Sequence, residues 1–277
     1  MKLGLMFVNT LAVNRDQVFA QVSAAEAAGY DSVWTVEHVV VPKGYESMYP
    51  YSKSGRMAGG IEDFDIPDPL VWLAFAAAAS TTIKLATGVL ILPQRNPVLL
   101  AKEVATLDRL SGGRVILGVG AGGLEEEFRA LGASFEDRGA RVDEYIRALR
   151  VLWSEHVASF EGDFVSFEDV YLRPRPLSGS VPIVIGGHSL RAARRAGELG
   201  DGFYPASTVE DLPDLVAHAR EAAERAGRDP AALEITVSSR PDVDSVERLL
   251  AAGVDRVVVS AAVGEEALAS LAEQVLG

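Results

Sequence analysis

The sequence contains no cysteine and only four histidines. Without thiols, the chain cannot form disulfides, thiolate zinc sites, iron–sulfur clusters or a cysteine nucleophile. The histidines (His38, His156, His188 and His218) show neither HxH nor HExxH spacing, so we expect no metal site. Redox chemistry in this chain would therefore depend on an organic cofactor.

Long apolar runs and positive charge are also scarce. No run is long enough to cross a membrane, and the first residues lack the cleavage pattern of a signal peptide, so we expect a cytoplasmic protein. Lys and Arg number 26 against 39 Asp and Glu, which gives a net charge of −13. Nucleic acid and anionic lipid gain no counterion-release energy from such a surface. We expect a small-molecule substrate, with neither nucleic acid nor a membrane as partner.

Short β-branched runs alternate with longer helical patterns along the 277 residues. Two helix starts are indicated at Asp68-Pro69 and Asn96-Pro97, where an N-cap acceptor precedes a proline. Eight β-α units in about 250 residues predict an α/β fold, a single (β/α)8 barrel over residues 1–277, because no flexible linker divides the chain. The predicted strands are Leu3–Val8, Ser32–Val36, Lys84–Thr87, Val115–Val119, Val181–Ile185, Gly202–Tyr204, Leu233–Val237 and Arg256–Ser260.

Two stretches interrupt the alternation. Residues 38–67 form a long loop after the second strand, and loops of this length usually serve a site, so we predict a lid over the barrel mouth. Residues 155–180 predict a β-hairpin and an extended, proline-bounded strand against the side of the barrel. The predicted substrate-contacting residues of the lid are Tyr45, Tyr49, Tyr51 and Phe64.

Active sites of this fold lie at the carboxyl ends of the strands, which directs attention to the residues that follow each strand. The second strand ends in Glu37 and His38, a carboxylate and an imidazole suited to acid–base chemistry. A structural role for His38 is as compatible with the sequence. The third strand is followed by Gly88, which permits close approach of a flat ligand, although taken alone it indicates a simple bulge.

Two glycine-rich segments follow the fourth and fifth strands. Gly118, Gly120 and Gly123 have GxGxxG spacing, but acidic residues 125–127 open the next helix and would repel a pyrophosphate, so we reject a dinucleotide site. These glycines instead leave bare backbone for a ring system. Residues 186–189 (Gly-Gly-His-Ser) lead into a helix and predict a phosphate site, the alternative being a structural turn capped by Ser189.

Taken together, five segments resemble the luciferase-like monooxygenase superfamily: residues 24–38, 85–114, 117–128, 138–146 and 184–203. Within it the chain looks like the F420-dependent oxidoreductases, which share the EHVVVP (37–42) and YPYS (49–52) segments. The resemblance implies a (β/α)8 barrel in which His38 lies near the reactive carbon of a deazaflavin and Glu37 is a neighbouring acid. It also implies a non-proline cis peptide at Gly88-Val89 against the cofactor ring. By the same resemblance, Gly120, Ala121 and Gly122 line the ring or its side chain, and Gly186, Gly187, His188 and Ser189 bind its phosphate.

Two positions depart from relatives of known chemistry. Gly123 stands where F420-dependent sugar-phosphate dehydrogenases have a glutamate, and Gly139 stands where flavin monooxygenases often have a tyrosine. The resemblance implies hydride transfer between coenzyme F420 and a small organic, apolar or aromatic substrate. The alternative is an FMN-dependent monooxygenase served by a separate reductase. The family resemblance also implies a homodimer. The candidate interface residues are Ala74, Ala77, Ala78, Leu99 and Leu100.

Overall fold

Eight parallel strands close into a barrel in the computed structural model, which describes residues 1–49, 54–206 and 211–277. The described strands are β1 (Lys2–Met6), β2 (Ser32–Thr35), β3 (Lys84–Thr87), β4 (Leu90–Ile91), β5 (Val115–Gly120), β6 (Ala158–Glu161), β7 (Ser166–Val170), β8 (Ile183–Gly187), β9 (Gly202–Pro205), β10 (Glu234–Ser239) and β11 (Arg256–Ser260). Around the barrel the order is β1, β2, β3, β5, β8, β9, β10 and β11, and β11 pairs with β1. The predicted (β/α)8 barrel is confirmed.

Helices surround this barrel on the outside. They are α1 (Val8–Leu11), α2 (Arg15–Ala27), α3 (Pro69–Ala78), α4 (Pro97–Ser111), α5 (Glu125–Ala130), α6 (Arg138–Ser154), α7 (Leu190–Leu199), α8 (Leu212–Arg225), α9 (Val243–Ala251) and α10 (Glu265–Leu276). Both predicted caps are confirmed: Asp68 accepts the amides of the first turn of α3, and Asn96 does so for α4. None of the helices in the described part of the chain is long and apolar enough to span a membrane.

All eight predicted barrel strands are present, with shifted ends. The first strand stops at Met6 because Phe7 adopts a left-handed φ of 65° and a short helix starts at Val8. The fifth predicted strand begins two residues later and extends through Gly187, which moves its glycines from the following turn onto the strand. Strand β4 was not predicted; it continues β3 beyond Gly88 and pairs with β5.

One expectation about α4 is wrong. Leu100, which we named for a subunit interface, is 1% exposed and belongs to the main core between the barrel and its helices. Its neighbour Leu99 is exposed, as an interface residue would have to be.

The predicted hairpin in residues 155–180 is confirmed as the antiparallel pair β6 and β7. Its turn is held by buried Glu144 of α6, whose carboxylate accepts three successive amides from residues 163–165. The proline-bounded segment after β7 is irregular rather than a strand, because its backbone joins no ladder. It is tied down by side chains instead, such as Arg109, which donates to the carbonyl of Arg175.

The amino ends of the strands are closed by a charged cluster. Arg256 of β11 is almost fully buried and donates to the carboxylates of Asp31 and Glu234, while Lys2 also pairs with Glu234. Opposite charges in contact keep these buried groups hydrogen-bonded. These charged groups pair with one another at the amino end, so we look for the site at the carboxyl-end mouth.

Candidate active site

The floor of the mouth is built around the Gly88-Val89 peptide, which is cis, as the family resemblance implied. The side chain of Val89 lies between β5 and β8. A Cβ added at Gly120 would come within 2.7 Å of Val89, and one added at Gly186 within 2.5 Å. Glycine at both positions therefore makes room for Val89, so the space beside their backbone is filled by its isopropyl group. A flat ligand would lie on Val89 rather than directly on Gly120 and Gly186.

Two aromatic side chains support this floor from inside the barrel. Trp34 of β2 and Tyr204 of β9 meet edge to face at 5.3 Å, and a Cβ at Gly88 would contact both. The indole of Trp34 donates to Ser32, and the hydroxyl of Tyr204 shares a 2.6 Å hydrogen bond with Ser238. Burial raises the pKa of Tyr204 to about 12, so the phenol stays neutral near pH 7.

His38 lies at the rim and is held by a residue that we did not predict. Its Nδ1 is 2.9 Å from Oε2 of Glu127, on α5, and the other oxygen of Glu127 accepts the amide of Val39 at 2.7 Å. Glu127 has no exposed side-chain surface, and the His38 side chain is 11% exposed. Among the described residues, none forms a hydrogen bond with Nε2 of His38. The imidazole is thus fixed at one nitrogen only.

Glu37 has a different environment from its neighbour, because successive side chains of an extended segment point to opposite sides. Its carboxylate is 1% exposed, pairs with Arg95, and accepts the amide of Ile91 on β4. Arg95 also donates to Asp68 at the start of α3. Burial raises the pKa of Glu37, and the ion pair with Arg95 opposes that shift. These partners make Glu37 a brace between β2, β4 and α3.

The lid has a core of its own. Tyr45 is 2% exposed and packs with Met57 and Leu124, and its hydroxyl accepts the amide of Met57 at 2.7 Å. Phe64 is half-buried against the same cluster. Tyr49 also contacts it, and its ring centre lies 6.0 Å from that of His38. Of the four predicted substrate-contacting residues, Tyr49 is the one beside His38, while Tyr51 lies outside the described residues.

The acidic run 125–127, which we interpreted as merely repelling anions, anchors the lid. Glu126 accepts the amides of Glu46 and Ser47 and the hydroxyl of Ser47. The hydrogen bond from the Ser47 side chain is the main reason that the pKa of Glu126 is lowered to about 2. Together with the hydrogen bonds that Glu127 accepts from His38 and Val39, this fixes both ends of segment 38–47 on α5.

The predicted phosphate loop leads from β8 into α7. Ser189 is the N-cap of α7, and its hydroxyl accepts the amide of Ala192 at 3.2 Å. The structural alternative, a turn capped by Ser189, is therefore present. A hydroxyl that accepts one bond still has a proton to donate. Ser189 and His188 are exposed, and helix starts carry amides without partners inside the helix. Capping and anion binding are therefore compatible at this loop.

The remaining predicted ring-lining positions follow β5. Ala121 is half-buried, and Gly122 has a left-handed φ of 76°, where a Cβ would meet Ile91 and Phe128. Within the described ranges, no three His, Asp or Glu residues lie close enough together to hold a metal ion.

Sequence reasoning also missed Asn9, which is fully buried near the mouth. Its amide donates to the carbonyls of Val36 and Pro67 and its oxygen accepts the amide of Val36, so it joins the end of β2 to the end of the lid. A lone asparagine after a strand carries no distinctive pattern. Glu127 did carry a signal in the sequence. It lies in the first turn of α5, after the glycines that end β5, and loops after strand ends line the mouth of this fold.

The structure is thus a barrel whose mouth carries a buried carboxylate–imidazole pair, Glu127 and His38, and a glycine-rich segment that leads into α7. Residues 1–275 match the family described as luciferase-like monooxygenase, and the chain belongs to that family.

Of three similar proteins, two are named for an F420-dependent activity. An F420-dependent glucose-6-phosphate dehydrogenase from Kineococcus radiotolerans is 33% identical over 227 residues, covering 79% of this chain and 62% of the relative. An uncharacterized protein of Mycobacterium tuberculosis is 32% identical over 237 residues, covering 85% of this chain and 82% of the relative. Among solved structures, an F420-dependent secondary alcohol dehydrogenase in complex with an F420-acetone adduct has a TM-score of 0.81 at 20% identity, covering 99% and 98% of the two chains.

Proposed function

We propose that this protein is an oxidoreductase that transfers a hydride between coenzyme F420 and a small organic substrate. The observation that carries the proposal is His38, whose Nδ1 is bound by buried Glu127 while Nε2 has no hydrogen bond from the described residues. An imidazole held in this way at a barrel mouth is placed for proton transfer. The 33% identity to an F420-dependent dehydrogenase supports F420 as the cofactor.

The described residues fit a deazaflavin. Val89 offers an apolar surface at the floor for the ring, and the start of α7 with Ser189 offers amides and a hydroxyl for the phosphate. When bound, F420 would supply the two-electron chemistry as donor or acceptor of hydride. The protein would supply the ring position and a proton path through His38. Exposed Lys43 and Arg191 are the candidates for the cofactor's anionic tail.

The substrate that we propose is apolar or aromatic rather than a sugar phosphate. Tyr49 places an aromatic ring next to His38, and Gly123 provides no carboxylate where sugar-phosphate dehydrogenases carry one. Arg56 of the lid donates to the carbonyl of Tyr45 and lies 3.6 Å from Glu62. It is therefore already engaged and does not support a fixed site for a substrate phosphate.

A flavin-dependent monooxygenase is the second candidate, because the same loop would suit the ribityl phosphate of FMN and the family carries that description. Such an enzyme would need a separate reductase. Two assays separate the candidates. Purified protein should change the F420 absorbance when oxidised F420 is supplied with alcohols, or reduced F420 with ketones and aromatic compounds, whereas chemically reduced FMN with the same panel should give no oxygen uptake above that of free FMN. Oxygen uptake coupled to substrate oxidation, with F420 inert throughout, would replace our proposal with the monooxygenase.

A further inference from the structure

We infer that Glu127 is a positioning residue that keeps the proton of neutral His38 on Nδ1 and leaves Nε2 as a proton acceptor at the mouth. Only the use of Nε2 in turnover rests on the proposed function. The assignment of the tautomer rests on hydrogen-bond geometry alone. The two claims can therefore be tested separately.

The geometry leaves little choice of donor. The amide of Val39 is always a donor, and it bonds Oε1 of Glu127 at 2.7 Å. The second oxygen, Oε2, lies 2.9 Å from Nδ1 of His38. An ionised carboxylate has acceptors only, so the hydrogen atom between Oε2 and Nδ1 must belong to the imidazole. A protonated Glu127 would reverse this bond, and the experiment below distinguishes the two cases.

Both oxygens of the Glu127 carboxylate have hydrogen-bond partners. The Glu127 side chain has no exposed surface, and a buried carboxylate is tolerated only when its oxygens accept hydrogen bonds. Both bonds come from adjacent residues, one from the His38 ring and one from the Val39 backbone. Glu127 thereby fixes the ring and the backbone that carries it.

The consequence concerns the direction of proton transfer. In its neutral form, His38 would present a lone pair on Nε2 to the substrate, so it would accept a proton from a hydroxyl or similar X–H group as the substrate is oxidised. The resulting imidazolium would be stabilised by the Glu127 carboxylate. In the opposite direction, the imidazolium would return that proton. We therefore infer that the substrate couple differs by a proton on a heteroatom next to the carbon that exchanges hydride.

The tautomer can be measured without cofactor or substrate. Nitrogen NMR of protein labelled with ¹⁵N-histidine distinguishes the two tautomers. The chain has four histidines, and the signal set that is missing from the His38→Asn spectrum belongs to His38. We expect Nδ1–H in the parent. In Glu127→Gln the amide oxygen should keep the Val39 bond, so that the NH₂ group donates to Nδ1 and shifts the proton to Nε2. Glu125→Gln, on the same helix with an exposed carboxylate paired to Arg129, should leave the tautomer unchanged.

Each outcome is decisive. An Nε2–H tautomer in the parent would overturn the inference, and that measurement needs no variant to fold. A parent-like tautomer in folded Glu127→Gln would also overturn it. With F420 and a substrate, Glu127→Gln should lower kcat about 10²–10⁴-fold, as expected for lost acid–base catalysis, while the Kd of F420 changes less than about threefold. If Glu127→Gln inverts the tautomer but the parent shows no turnover with F420, Glu127 is upheld as the positioning residue and the proposed function is rejected.

Discussion

At the scale of single residues, Glu37 and His38 are adjacent in sequence but serve different purposes. The Glu37 carboxylate accepts hydrogen bonds from Arg95 and from the amide of Ile91, and its side chain is 1% exposed, so it offers almost no surface to a ligand. His38 has its second nitrogen at the mouth. We therefore propose His38 as the catalytic residue of the pair and Glu37 as the brace that holds β4 in place.

Replacing His38 by Ala should lower turnover about 10²–10⁴-fold and change cofactor affinity little, because proton transfer from a positioned imidazole typically contributes that factor. Steady-state kinetics and a fluorescence titration on the same preparation measure both effects. His156→Ala is the control, since His156 is exposed on the hairpin. Near-normal turnover in His38→Ala would reduce His38 to a packing residue.

The strand-end pattern directed attention to His38, and the family resemblance implied the cis Gly88-Val89 peptide, but neither indicated Glu127. Strand ends and family motifs are local features that a single sequence displays. The contact between His38 and Glu127 joins positions 89 residues apart. Charge alone suggested that residues 125–127 repel anions, whereas the structure uses two of them as hydrogen-bond acceptors for the lid.

At the scale of elements, Gly118 of β5 shows why the GxGxxG spacing does not mark a nucleotide site here. A Cβ at Gly118 would overlap the carbonyl oxygen of Thr87 on β3, and the Thr87 hydroxyl donates to the Gly118 carbonyl at 2.6 Å. The glycine allows the two strands to approach on the way to barrel closure. Its role is therefore packing of backbone against backbone.

Gly118→Ala should destabilise the protein by about 1–3 kcal/mol or more, the usual cost of overpacking, because backbone cannot move aside as a flexible side chain can. Urea unfolding measures the change in free energy. Gly139→Ala is the matched control: Gly139 lies in α6, and its added Cβ would make only an ordinary 3.5 Å contact with Arg195. This control should be neutral or stabilising, since alanine favours helices. Equal stability of both variants would contradict the packing role.

The lid anchor predicts a dependence on pH. The pKa of Glu126 is about 2 when folded, against 4.5 as its ordinary value. Its stabilising contribution is therefore complete above about pH 4.5 and is lost as the pH falls towards 2. Glu126→Gln removes the titration and should cost about 1 kcal/mol or less at pH 7, since solvent screens this partly exposed group.

The difference in unfolding free energy between parent and Glu126→Gln should accordingly shrink as the pH is lowered from 5 to 3. Denaturant titrations at several pH values measure it, and Glu125→Gln provides a control for the loss of one charge on the same helix. A difference that stays constant over this range would show that the Glu126 carboxylate does not hold the lid.

The elements themselves were predicted well and their ends less well. The caps Asp68 and Asn96 are each followed directly by a proline, a local pattern that predicted both helix starts correctly. The end of β1 depends on the left-handed Phe7, and β4 exists only because β5 lies alongside it. Such features depend on tertiary contacts that periodicity does not contain.

At the scale of the whole molecule, α3 carries an exposed apolar stripe. Val71 is 62% exposed, Phe75 is 44% exposed, and Ala74 and Ala78 lie on the same face at helical spacing. Exposed Leu99 at the start of α4 adds to the apolar surface of these two packed helices. We propose that this surface forms the two-fold interface of a homodimer. The sequence prediction named Ala74, Ala77, Ala78, Leu99 and Leu100, of which Leu100 is buried in the core.

Light scattering at micromolar concentration should give twice the chain mass of 29.5 kDa. Val71→Arg should shift the protein towards the monomer, because an unpaired guanidinium would be buried at a symmetric contact. Tyr171→Arg, on the exposed face of the hairpin, should leave the mass unchanged. A monomeric parent would remove the proposal.

Closure of the barrel was predictable from the count of β-α units, since eight alternations allow few other architectures. The choice of cofactor was not, because a ring surface and a phosphate loop suit both a deazaflavin and a flavin. Discrimination would have to come from the tail of F420, which extends beyond the phosphate. At physiological salt, charges more than about 8 Å away are largely screened, so the overall charge of −13 should matter less for the tail than the exposed basic residues close to it.

The most direct test of the central claim is a fluorescence titration of the purified protein with F420 and with FMN, repeated on Ser189→Asp. Aspartate is also a good N-cap, so α7 should stay folded while the added charge repels a phosphate. Asn14→Asp places the same charge at the N-cap of α2, on the opposite side of the barrel. We predict tighter binding of F420 than of FMN in the parent, weakened by roughly 1–3 kcal/mol in Ser189→Asp and unchanged in Asn14→Asp. Tighter binding of FMN by the parent would contradict the proposed function, and an unchanged affinity in Ser189→Asp would move the phosphate site away from α7.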